Sequence, residues 1–194
     1  MQVSSLGCLF VLASTRDQEL LLHIFIKKIV AGLGGAGASP DARRAASISN
    51  IAAALCISLQ QMILMRGMLA APSWLASAQA AFIAALIYGS RHTQLTAAHG
   101  LALLVKFHTS EAFLNDTIVK LQGDAAAIAT SYGWVLAPSA HVPARLGCVL
   151  GLGAVAAAAG AARAAVHVPD ILECGHARCS MRRFSSHLAA GILN

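Results

Sequence analysis

Between Arg44 and Arg66 runs AASISNIAAALCISLQQMILM, residues 45–65, without a single charge. A helix rises about 1.5 Å per residue, so roughly 20 apolar residues cross the ~30 Å hydrocarbon core of a bilayer. The segment has that length. Arginines at both ends are what a span shows where it meets water, because their long stems let the charge reach the interface. At about 100° per residue, Ser47, Asn50, Ala54, Ser58 and Gln61 fall along one stripe, while Ser49 and Gln60 lie off it. A stripe of small and amide residues is what one membrane helix presents to another. The segment therefore reads as a span with Asn50, Ala54, Ser58 and Gln61 as helix-packing residues. The competing reading, a buried helix of a soluble bundle, demands apolar cover on nearly every side.

Composition favours the membrane. Hydrophobic residues make up 57% of the 194-residue chain and charged residues 11%, against roughly 25% charged in an average soluble domain. The net charge is +6. The basic residues stand mostly between apolar runs rather than in one patch with interleaved aromatics, which argues against nucleic acid as a partner. Five cysteines are an odd number, and two lie inside apolar runs, so no disulfide framework is implied. The first 19 residues lack the basic start of a secretory signal and carry Asp17 and Glu19, unlike an organellar transit peptide.

Three further apolar stretches extend the pattern. Residues 73–89 read as a second span, joined to the first by a tight antiparallel hairpin. Residues 125–137 form a short span or a continuation of the helix before them. Residues 146–168 form a last span that Pro169 ends, after a loop at 138–145 punctuated by two prolines. Between them, 94–105 is an apolar helix too short to span. Residues 110–122 form an amphipathic helix capped by Ser110. The N-terminal segment 1–40 holds an amphipathic helix near 18–33 and the Gly-rich linker 32–40. Residues 169–194 form a basic tail. The expected fold is all-α: an integral membrane helical protein with three or four transmembrane helices over 41–168 and interfacial helices beside them.

The motifs carry little chemistry. Gly32-x-Gly34-x-x-Gly37 matches a dinucleotide fingerprint in letters only. No strand precedes it, and no Asp or Glu follows between Asp41 and Glu111 to bind a ribose. Gly147-x-x-x-Gly151 is a small-residue surface suited to close helix packing. Among eight histidines, His92 and His99 share one helix face and are the residues a haem or chlorophyll would use. Most histidines flank apolar runs, so an interfacial role is favoured and no cofactor is assigned. Cys174, His176, Cys179 and His187 do not have a standard zinc spacing, and no metal is assigned. Arg163 and the tail's Arg178, Arg182 and Arg183 suit anionic headgroups such as cardiolipin. No nucleophile elbow, HExxH, P-loop or carboxylate pair is present, and the chain is not expected to be an enzyme.

The function expected from these features is structural. The chain would be an accessory subunit of a larger membrane complex in an organellar energy-transducing assembly, respiratory, ATP synthase or photosynthetic. Its partners would be other membrane subunits and phospholipid. The expected location is the mitochondrial inner membrane, with the thylakoid as alternative. The rival functions are a haem- or chlorophyll-binding subunit, and a small transporter or channel with a polar path through Asn50, Ser58 and Gln61.

Overall fold

The computed structural model describes residues 10–33, 42–66, 73–108, 110–130, 138–160, 163 and 165–166. Most of these residues are helical, with no strand among them. After a helical turn at 10–12 come α1 (Thr15–Leu33), α2 (Ala42–Arg66), α3 (Leu75–Tyr88), α4 (Arg91–Phe107), α5 (Glu111–Thr130) and α6 (Pro138–Ala159).

Serine hydroxyls start three of them. Ser14 Oγ accepts from Asp17 N and donates to its carboxylate. Ser90 Oγ accepts from Thr93 N, and Ser110 Oγ from Phe113 N. Each satisfies a first-turn N–H that has no partner within the helix. The stop of α6 is also local: Gly160 lies at φ +83°, the left-handed conformation that favours glycine and ends a helix.

α4 is the middle of the bundle. It packs on α2, α3 and α6; α1 packs on α2 and α3, and α6 also covers α3 and α5. Its buried positions, from Thr93 to Val105, sweep more than half its circumference. Arg91, His92, Leu95, His99 and Lys106 occupy the remaining exposed strip. Short apolar length, which denies this segment a bilayer crossing, suits a core helix. Phe82, Leu22, Ile29, Leu55, Leu59, Leu86, Leu101, Leu114, Leu121 and Leu152 are the largest apolar side chains fully enclosed by the packing.

Among the described residues one helix, Arg43–Met65, is long and apolar enough to cross a membrane, with a mean hydropathy of 1.6. The segment expected at 73–89 is a 14-residue helix, which at 1.5 Å per residue covers only about 21 Å. It does not pair with α2 as a hairpin. Among the described residues α2 instead packs on α1 and α4. The last expected span stops at Ala159 because of Gly160. The expected loop at 138–145 is the start of α6. Pro138 is its first residue, where a missing N–H costs nothing, and Pro143 is accommodated within the first two turns. The expected amphipathic helix 110–122 continues to Thr130, and 131–137 lie outside the described residues, as does the basic tail 169–194.

Candidate functional site

Two glutamines, inconspicuous in the sequence, organise the interior. Gln94 is 1% exposed. Its Nε2 donates to Leu86 O at 2.8 Å and to Pro143 O at 2.8 Å. Leu86 O is one of the last carbonyls of α3, which no helical N–H can reach. Gln94 thus ends α3, joins it to α6, and does so from the central helix.

The close approach that permits this depends on Gly147. A Cβ there would lie 1.8 Å from Leu86 O and 2.9 Å from Gln94 Nε2. One turn on, a Cβ at Gly151 would lie 2.5 Å from Leu86 Cδ1. The small-residue surface of α6 is therefore occupied by α3 of the same chain.

Gln79, also 1% exposed, links α3 to α5. Its Nε2 donates to Thr117 Oγ1 at 2.7 Å and Asp116 Oδ2 at 3.0 Å, and its Oε1 accepts from Lys120 Nζ at 3.0 Å. Lys120 and Asp116 form an ion pair one turn apart at 2.7 Å. The Lys120 hydrogen bond, with that of Gln79, holds the Asp116 carboxyl below its usual range. The resulting small stabilisation is present at neutral pH and fades as pH falls through the lowered pKa.

These two glutamines make a discriminating prediction. Gln94→Leu leaves Leu86 O buried without its donor, and should cost about 1–3 kcal/mol. Gln79→Leu leaves no such orphan, because Lys120 keeps Asp116 and Thr117 Oγ1 already donates to Phe113 O at 2.7 Å. It should stay within about 1 kcal/mol of wild type, since an apolar replacement of a satisfied group is nearly neutral. Urea unfolding of both variants checks this; equal losses would refute the assignment.

The stripe on α2 divides. Ala54 and Ser58 are buried, Gln61 is half-buried, and Asn50 is exposed. Asn50 and Ser58 differ by eight residues, about 80° around a helix, so one flank of the stripe turns inward and the other outward. Gln61 lines a cleft of about 110 Å³ with Phe10, Gln18, Met62 and Met65. Gln18 Nε2 donates to Phe10 O and Ala13 O, holding the first helical turn against α1.

His92 and His99 both lie on the exposed strip of α4. Arg163 is engaged by Glu111 at the start of α5, while Arg178, Arg182 and Arg183 lie outside the described residues. So do Cys174, His176, Cys179 and most of the glycine-rich segment. Among the described residues no three His, Cys, Asp or Glu side chains assemble into a group able to hold a metal. Cys56 and Cys148 are buried and form no disulfide, and Cys56 Sγ donates to Thr96 O at 3.3 Å.

The glutamine junctions escaped the sequence reading because a lone amide in an apolar run announces that it needs partners but not which ones. No family model matches the chain, nor does any curated protein or solved structure.

Proposed function

We propose that the chain is a structural, non-catalytic accessory subunit of a larger membrane assembly, anchored by α2. The observation that carries this reading is the uncovered half of α2: the apolar 18-residue window within Arg43–Met65 is only 50% buried by the rest of the chain. Ala46, Asn50, Gln60 and Leu64 are exposed on it, and Ala53 and Ile57 are half-exposed beside them. Small, aliphatic and amide groups on one face suit a neighbouring membrane helix, whose packing depends on close approach and occasional interhelical hydrogen bonds. Leu20, Val30, Val119 and Leu146 add exposed apolar area on other helices. The assembly we favour is an energy-transducing complex of the mitochondrial inner membrane, with the thylakoid as alternative. The partners are other membrane subunits and a phospholipid such as cardiolipin.

The test is extraction of the source membrane at alkaline pH, followed by mild detergent and a native gel. Retention in the carbonate pellet and migration in a large band with other membrane subunits is the expected result. A visible absorption band in that complex that disappears in His99→Ala would replace the structural role with a haem- or pigment-binding one. Release by carbonate would favour a second reading, a helical bundle outside the bilayer. The exposed Arg43 and Ser47 in the first turns of α2 favour that reading.

A further inference from the structure

α1 ends where α2 begins, and the junction is strongly basic. Arg44 Nε donates to Gly32 O at 2.9 Å, and its Nη2 reaches Ala31 O at 3.4 Å. These contacts satisfy the terminal carbonyls of α1 and pin the first turn of α2 against them. They bring Lys27 and Lys28, near the end of α1, to the same end of the bundle as Arg43 and Arg44. All four residues are exposed. In sequence, Asp41 is the one carboxylate between Leu20 and Ser110, so cations outnumber carboxylates along this stretch of chain. Beside the lysines, Ile24 and Val30 are large exposed apolar residues.

We propose that this corner is a binding surface for the headgroups of anionic phospholipids, at the end of α2 that Arg43 and Arg44 mark. Apolar residues interleaved with lysines distinguish it from a surface for a soluble acidic partner. Ile24 and Val30 meet acyl chains while the lysine stems carry their ammonium groups outward to phosphate. Cations beside an anionic surface attract it by about fivefold in affinity each, and the attraction is screened by salt. The proposal rests on the membrane reading and adds to it which lipid is taken and where. Arg163, already engaged by Glu111, is not needed for it.

The full chain in a mild neutral detergent is titrated with phosphatidylglycerol or with phosphatidylcholine, and bound lipid is counted by native mass spectrometry. Wild type should take up phosphatidylglycerol in clear preference, less so as salt rises. Lys27→Gln/Lys28→Gln/Arg43→Gln should weaken that uptake by roughly a hundredfold and leave phosphatidylcholine uptake unchanged. Lys106→Gln, on α4, should retain the wild-type preference. Should the triple variant lose its helical circular dichroism, Lys27→Gln and Lys28→Gln alone serve, each with about a fivefold loss. Equal uptake of the two lipids by wild type would overturn the proposal, as would a folded Lys27→Gln/Lys28→Gln/Arg43→Gln variant that keeps the preference. Equal uptake together with carbodiimide cross-links from Lys27 or Lys28 to another polypeptide would assign the corner to an acidic protein instead. Carbonate extraction separates the two ideas. Release from the membrane with the lipid preference intact removes the embedded-subunit reading alone. Retention without the preference removes the lipid corner alone.

Discussion

Phe82→Ala should destabilise the chain by about 3–5 kcal/mol, the range for deleting a fully buried aromatic side chain. The ring is 0% exposed and lies directly over Gly100 of α4, where a Cβ would come within 2.4 Å of Cζ and 2.5 Å of Cε1. The ring fills space that α4 leaves by having no side chain at that position. Truncation empties that space, and glycine has nothing to move into it. Thermal unfolding followed by circular dichroism should show the midpoint falling by roughly 2–4 °C per kcal/mol for a chain of this size. The pairing with Gly100 gives a second readout. Gly100→Ala alone meets the ring and should also destabilise. Phe82→Ala/Gly100→Ala should lose less than the two single variants together, because the new methyl enters the vacated volume. Strict additivity would mean that the two positions do not share a cavity.

Gly147→Ala is expected to cost about 3 kcal/mol, the upper part of the range for overpacking a well-filled interior. Cheap relief is unavailable, since the atom 1.8 Å from the new methyl is the backbone oxygen of Leu86. α3 and α6 must move apart, and the movement also lengthens the Gln94 bridge between them. Gly153, on the same helix, is the control: nothing lies within 4 Å of its added Cβ. Gly153→Ala should be neutral or stabilising by up to about 1 kcal/mol, the intrinsic helical gain of alanine over glycine. The two variants are chemically the same change on the same helix, so their difference isolates the α3–α6 contact. Equal midpoints for the pair would show that α6 does not approach α3 as closely as described.

Helical content was readable from residues in contact along the chain. Ser110 and Phe113 are three apart, and the cap between them needs nothing from elsewhere. The uncharged run ending at Arg66 likewise becomes a helix of nearly the length its sequence suggests. Prolines misled. Pro138 and Pro143 read as a loop, but one sits at a helix start that tolerates it and the other lies within the first two turns, its carbonyl receiving the amide of Gln94. The short apolar run 94–105 was hardest to place. Length rules out a bilayer crossing, but only the arrival of α2, α3 and α6 makes it the centre of the bundle.

By itself, the sequence determined that most of the chain is helical, that Ser110 begins one of the helices, and that α2 carries enough uncharged length to cross a bilayer. These follow from interactions within one turn of helix or from length multiplied by rise. Tertiary structure decided that Gly147 and Gly151 are used inside the chain, that Ser58 turns inward while Asn50 stays out, and that Gln79 and Gln94 hold α3 to its neighbours. Each of those depends on groups brought together from distant parts of the chain: Gln94 and Pro143 are 49 residues apart. A helix's periodicity tells which residues share a face, but which neighbour covers that face is set by how all the helices fill space together.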